Sequence, residues 1–204
     1  EVLLCTPVAF TRAAKLAPIP MPGGSAAVMK PWRMAFSCLR ESFGDEVFSL
    51  DLPCLKRIPR DHLEILARAC DTGVNCPLTS SLGRLFDAVS SILDIRHETT
   101  FEGQAAMELE MLAAGDSGIV PLPYEILPDD TAPVTGTPVL WGTMSKSRKA
   151  ARSQRGEITE KPLCEKSYTI DCRPLVRALV EELHHGKTLS VLSLSFHIAI
   201  LTSF

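Results

Sequence analysis

Apolar residues recur at helical spacing through most of residues 25–113, and alternate only in short runs elsewhere. Val2 to Cys5 forms a brief strand-like run, and Phe10 to Ile19 reads as a second, half-buried strand. Pro18, Pro20 and Pro22 exclude helix there, and Gly23-Gly24 closes the segment as a turn. From Ser25 to Phe43 the spacing is helical, with Pro31 near the first turn of a new helix. Residues 44–59 read as a connection. Residues 60–71 form a helix with Leu63, Leu66, Ala67 and Cys70 on one side, ended by Gly73.

Thr79-Ser80-Ser81 then supplies a cap for a helix whose apolar face holds Leu82, Leu85, Phe86, Val89, Ile92 and Leu93. A connection at 95–102 leads to another helix, with Ala106, Leu109, Met111, Leu112 and Ala113 as its apolar residues and Gly115 as its stop. Val120, Leu122, Tyr124 and Ile126 alternate, so 119–127 reads as a strand. Residues 128–166 lose periodicity and gain Pro128, Pro133, Pro138 and Pro162, the pattern of a loop or insertion. Tyr168 to Asp171 reads as a strand able to pair with Tyr124–Leu127 across that loop. Pro174 opens a helix that Gly186 stops, and 188–203 form a last apolar helix.

Composition excludes several classes. Net charge is −3, which gives no general attraction to nucleic acid. Aromatics make up 6% of the chain, too few for a base-stacking surface. The basic stretch 145–155 has no interleaved aromatic and reads as a solvated loop. No apolar run approaches the ~20 residues of a membrane helix. Seven cysteines without a C-x-x-C pair read as reduced thiols of a cytoplasmic protein. The adjacent His184 and His185 point about 100° apart on a helix and cannot chelate one metal together. The first residue, Glu1, lies in a strand-like run, and Phe204 in an apolar one, so the chain reads as cut from something longer.

Two segments carry candidate chemistry. Gly83 lies one turn into a helix, and Asp87 shares its face four residues on. With Arg84 they make a polar notch poor in side chains. There Asp87 either accepts hydrogen bonds from a sugar's hydroxyl groups or simply pairs with Arg84. Glu102, Gly103 and Gln104 form a turn into a helix N-terminus, where polar ligands bind readily. The alternative is that Glu102 caps its own helix.

Taken together, Thr79-Ser80-Ser81-Leu82-Gly83-Arg84-Leu85-Phe86-Asp87-Ala88-Val89 and Phe101-Glu102-Gly103-Gln104-Ala105-Ala106 closely resemble the nickel–iron hydrogenase maturation carbamoyltransferases, the HypF family. Pro22 to Val28, Pro31 to Ala35, Asp171 to Leu183 and Phe196-His197 resemble further family segments in the right order. Phe101 stands where the family has a Tyr, and Ser25 where it has an Asp. The resemblance implies an α/β, mainly helical fold, an incomplete part of an actin/Hsp70-like (ASKHA) ATPase-type lobe with a few short strands. It divides the partial carbamoyltransferase domain, 1–204, into extended strands (1–22), a helical nucleotide-side segment (24–116), a loop or insertion (128–166), and a strand with two helices (168–204).

The resemblance also implies an activity of the full-length protein. ATP, as carbamoyl adenylate, and a divalent metal would serve transfer of a carbamoyl group from carbamoyl phosphate to the C-terminal Cys of a HypE-type partner. Asp87 would hold the adenosine ribose and Gly103 the turn near the adenosine, with Glu102, Gln104, Gly83 and Arg84 beside them. No catalytic or metal-binding residue is assigned to this chain, which would be an internal piece of that nucleotide-using enzyme and inactive alone. Its partners would be HypE and the rest of its own chain, with self-association through exposed apolar surface. Other readings are a stand-alone helical interaction module, an antibiotic O-carbamoyltransferase, or a tRNA threonylcarbamoyltransferase relative.

Overall fold

The computed structural model describes residues 1–7, 9–113, 119, 121–129, 135–136, 164 and 166–203. In chain order the elements are β1 (Val2–Cys5), β2 (Phe10–Leu16), β3 (Ile19–Pro20), α1 (Ala26–Met29), α2 (Pro31–Phe43), a 3-10 helix (Gly44–Ser49), α3 (Pro53–Lys56), α4 (Arg60–Thr72), β4 (Leu78–Thr79) and α5 (Leu82–Ile92). They continue with α6 (Gln104–Leu112), β5 (Glu125–Asp129), β6 (Thr135–Gly136), β7 (Ser167–Asp171), α7 (Arg173–His184) and α8 (Leu189–Ser203). The chain divides into two compact units. One holds 1–15 and 128–169, the other 16–127 and 170–204.

The first unit is built on strands. β1 and β2 pair antiparallel, Leu3 opposite Arg12 and Cys5 opposite Phe10, with a bulge between Val2 and Leu3. The strand order is β1-β2-β7-β5, and β6 pairs with β2. The expected pairing of the strand at 168–171 with the strand before the long loop is therefore present. Arg12 bonds Glu1 at 2.9 Å, and Lys15 bonds Asp129 at 2.7 Å.

The second unit is a helical layer around α2, which packs against α5, α7 and α4. Met34, Ala35, Phe36 and Leu39 are all fully buried, and since successive helical residues point about 100° apart, α2 is enclosed on more than one side. Pro31 sits in the first turn of α2, where its missing N–H leaves no bond unmade. The small β3–β4 pair sets Ile19 opposite Thr79 and so fixes where α5 begins. α5 packs on α6, and α8 packs on α6 and α7.

Several expectations need correction. The strand expected over 119–127 begins only at Glu125. Leu122 is buried outside any strand, whereas Glu125 to Leu127 are exposed, so the alternating pattern did not mark the ladder. The second strand stops at Leu16, and Ile19 pairs instead with Thr79 in a separate sheet. Residues 44–59 are not a plain connection, since they hold the 3-10 helix and α3. In α6 the buried residues are Ala105 and Leu109, while Met111 faces solvent. Ala105 and Leu109 are four apart and share the face toward α5 and α8. Gly115 and the basic segment 145–155 lie outside the described residues.

Candidate functional site

Asp87 lies in the middle of α5, on the side turned into the protein, and is 3% exposed. Arg84, one turn earlier, brings Nη2 to 2.9 Å from Asp87 Oδ2. That approach is off the line a hydrogen bond requires, so Oδ2 is charge-paired yet accepts no hydrogen bond. Burial pushes the Asp87 carboxyl up to about 6, Arg84 pulls it down, and the nearby charge of Glu102 pushes it up. The carboxylate is thus ionised at neutral pH, beside a second carboxylate, with an unused acceptor. Both the pairing with Arg84 and the capacity to accept a further donor are present.

The N-terminus of α5 is arranged differently from the simple cap expected of Thr79-Ser80-Ser81. Ser81 is the N-cap residue, but its hydroxyl makes no capping bond. Instead Thr79 Oγ1 accepts from the Ser81 N–H at 3.2 Å. Gly83 is exposed, and a Cβ placed there would meet only Ser81 Oγ, at 3.6 Å. The space beside the backbone is therefore open on that side.

The second segment is held by its own bonds. Gly103 is the N-cap of α6 at φ 82, a left-handed conformation that favours glycine. Gln104 Oε1 accepts from the Thr100 N–H at 2.9 Å, and its Nε2 donates to Glu108 Oε1 at 3.0 Å. Arg96 grips Glu108 with two bonds of 2.6 and 2.7 Å. Gln104 is thus committed to the shape of the turn. Glu102 is exposed and does not cap its helix through a side-chain bond.

Sequence reasoning missed three features. The first is a brace behind the turn, in which His97 Nδ1 lies 2.9 Å from Ser91 Oγ and Nε2 lies 2.7 Å from Asp94 Oδ1. Burial raises the Asp94 carboxyl, but bonds from Arg57 and His97 outweigh it and hold it below the usual range. The buried Ser91 hydroxyl is taken up by His97, so the line serves to tie the loop. The His97 carbonyl also accepts from the Trp32 N–H, and the Thr99 N–H donates to the Met29 carbonyl at 3.0 Å. The second is Arg33, whose Nη1 donates to the Pro22 carbonyl at 3.3 Å. A Cβ at Gly23 would lie 2.7 Å from that same Nη1, the far end of a long side chain that can shift, so it is the φ of 88 that selects glycine there.

The third is a cavity of about 190 Å³ beside the start of α5, lined among others by Cys38, Glu41, Ser81, Asp171, Cys172 and Arg173. Its walls come from four separated stretches, so no local pattern announces it. Burial raises the Asp171 carboxyl, but side-chain and backbone bonds from Arg173 outweigh it and hold it low. Asp87 is not among the lining residues. Among the described residues no three His, Cys, Asp or Glu gather as a metal would need. No described helix is long and apolar enough to cross a membrane.

The whole chain, residues 1–204, matches the family described as the carbamoyltransferase, Kae1-like domain, second subdomain. It is 43% identical over 122 residues to the carbamoyltransferase HypF of Rhodobacter capsulatus, covering 59% of this chain and 16% of that protein. It is 33% identical over 114 residues to a HypF homolog of Cupriavidus necator, covering 56% of this chain and 28% of that protein. A crystal structure of full-length HypF in its phosphate- and nucleotide-bound form matches all of this chain and 25% of its own, at TM-score 0.73 and 28% identity. The HypF structure from T. kodakarensis matches 94% of this chain and 21% of its own, at TM-score 0.63 and 19% identity, and shows the fold. The fold is that of an actin/Hsp70-like, Kae1-type lobe. The chain belongs to the HypF carbamoyltransferase family, within its Kae1-like domain. It spans under a third of the length of these relatives.

Proposed function

We propose that this chain forms one wall of the nucleotide site of a carbamoyltransferase, and that Asp87 receives the ribose of ATP. The observation that carries this is the unused Oδ2 of a buried carboxylate on the helix that bears the family's GRLFDAV run. A buried acceptor without a donor costs about 1–3 kcal/mol, more when charged, and a sugar hydroxyl would supply the missing bond. Arg84 keeps the carboxylate ionised and in place. Gly83 leaves open room beside the helix backbone, and the Gly103 turn brings Glu102 near Asp87. Gln104 acts by holding that turn. A nucleotide-bound form of a HypF relative is consistent with this reading.

Within the whole protein the activity would be carbamoyl transfer from carbamoyl phosphate, with ATP consumed, to the C-terminal Cys of a HypE-type partner in hydrogenase maturation. ATP supplies the adenylyl group that activates the carbamoyl unit. A divalent metal would serve the same reaction, and no residue of this chain is assigned to it. Reduced thiols fit a cytoplasmic setting, since all seven cysteines are free. Calorimetric titration of the folded chain with ATP and magnesium tests the site. Saturable binding that Asp87→Ala weakens at least about tenfold, roughly 1.4 kcal/mol, is expected for a lost charged hydrogen bond. Binding that survives the substitution unchanged would remove Asp87 from the site.

A further inference from the structure

Cys70 and Cys76 stand apart from the site described above. Cys70 lies in the last turns of α4 and Cys76 just before β4. Between them the chain reverses through Gly73 at φ 69 and Asn75 at φ 49. Backbone bonds that do not involve sulfur hold this reversal. The Cys76 N–H donates to the Gly73 carbonyl at 3.4 Å, the Gly23 N–H to Asn75 at 2.8 Å, and the Met21 N–H to Pro77 at 2.8 Å. Their result is a contact of 3.9 Å between the two Sγ atoms. Both thiols are free; Cys70 is half-buried and Cys76 is buried.

We propose that Cys70 and Cys76 form a dithiol site that reacts with a small-molecule disulfide and closes to an intramolecular disulfide. Cys70, the more exposed, loses its proton and attacks one sulfur of the small disulfide. A mixed disulfide forms on Cys70, and one small thiolate leaves. Cys76 then loses its proton and attacks Cys70 Sγ, expelling the second small thiolate. Two protein thiols are oxidised, one small disulfide is reduced to two thiols, and the two protons pass to the departing thiolates. The sulfurs must close from 3.9 Å to about 2.05 Å, a change within reach of side-chain rotation at a helix end. Burial and the neighbouring Cys76 push the Cys70 thiol up to about 12, so exchange is slow near neutrality and quickens as pH rises. The closed ring would join the end of α4 to the strand that leads into Thr79-Ser80-Ser81 and α5.

The test incubates the folded chain with oxidised glutathione at about pH 9 until its free-thiol count stops falling, unfolds it directly in excess alkylating agent, and digests with trypsin. Cleavage after Arg68 and Arg84 leaves both thiols in the single peptide 69–84. The expected product is that peptide two hydrogens lighter, carrying neither glutathione nor alkyl groups. Cys70→Ser and Cys76→Ser should each abolish it. Exposed Cys5 reports in the same digest that the oxidant has acted. Recovery of 69–84 doubly alkylated, or with glutathione on both cysteines, while Cys5 has exchanged, would overturn the proposal.

Discussion

Asp87 is a carboxylate that the fold buries and only partly satisfies, and this has a consequence for stability. Its carboxyl rises from the ordinary 3.8 to about 6 in the folded chain, so the folded state binds its proton more tightly than the unfolded one. The stabilisation this provides is fully present below pH 3.8 and is lost as pH rises through about 6. Asp87→Asn removes the titration and isolates the effect. The stability of the native sequence relative to this variant should fall by about 1–2 kcal/mol between about pH 4 and about pH 7, after allowance for solvent screening. Chemical denaturation of both proteins across that range measures it. A difference independent of pH would mean that Asp87 titrates like an exposed carboxylate. The candidacy of Asp87 was legible in the sequence, because a mid-helix Asp four residues after a Gly is an unfavourable choice for a helix. That its Oδ2 accepts no hydrogen bond was not legible, since the angle of Arg84 depends on packing around α5. The roles of Ser91, Asp94 and His97 were hidden for the same reason, as their contacts exist only once the loop after α5 has closed.

At the scale of elements, the helices were readable wherever one apolar face was enough to bury them. Helices α2, α4, α5 and α7 follow their spacing closely, with Pro31 and Pro174 at their starts and Gly73 at the end of α4. Helix α6 was placed correctly but turned wrongly, because Met111 and Leu112 are apolar and yet face outward. The join of α6 to α8 depends on a bond no pattern shows. Ala113 turns its N–H to Glu110, leaving the Leu109 carbonyl among the last-turn acceptors. Buried Ser193 of α8 donates its hydroxyl to that carbonyl at 2.6 Å. Ser193→Ala should therefore destabilise the chain by about 1–2 kcal/mol, read as a lower denaturation midpoint. No change in midpoint would mean the Leu109 carbonyl finds another donor. The strand at 119–127 failed for the opposite reason: among the described residues of that run only Leu122 is buried, and pairing starts three residues later.

For the whole molecule, family and fold were legible because long runs around α5 and α6 are specific, whereas the division into two units was not. That division rests on which distant stretches share contacts. The second unit leaves apolar side chains in solvent on two packed helices, Met111 at 76% and Leu201 at 79% exposed. Exposed apolar surface of this kind promotes association. Sedimentation of the chain at rising concentration should show species larger than 22.2 kDa, and Met111→Lys with Leu201→Lys should shift the distribution toward monomer. A wild-type chain that stays monomeric throughout would contradict this.

The account turns on a bond between Asp87 and the sugar of a nucleotide. Its most direct test is a thermodynamic cycle that compares magnesium ATP with its 2′,3′-dideoxy analogue on the native chain and on Asp87→Asn. Removing the hydroxyls should weaken binding to the native chain at least about tenfold, roughly 1.4 kcal/mol, and weaken binding to the variant far less. An equal loss in both proteins would show that Asp87 does not hold the ribose.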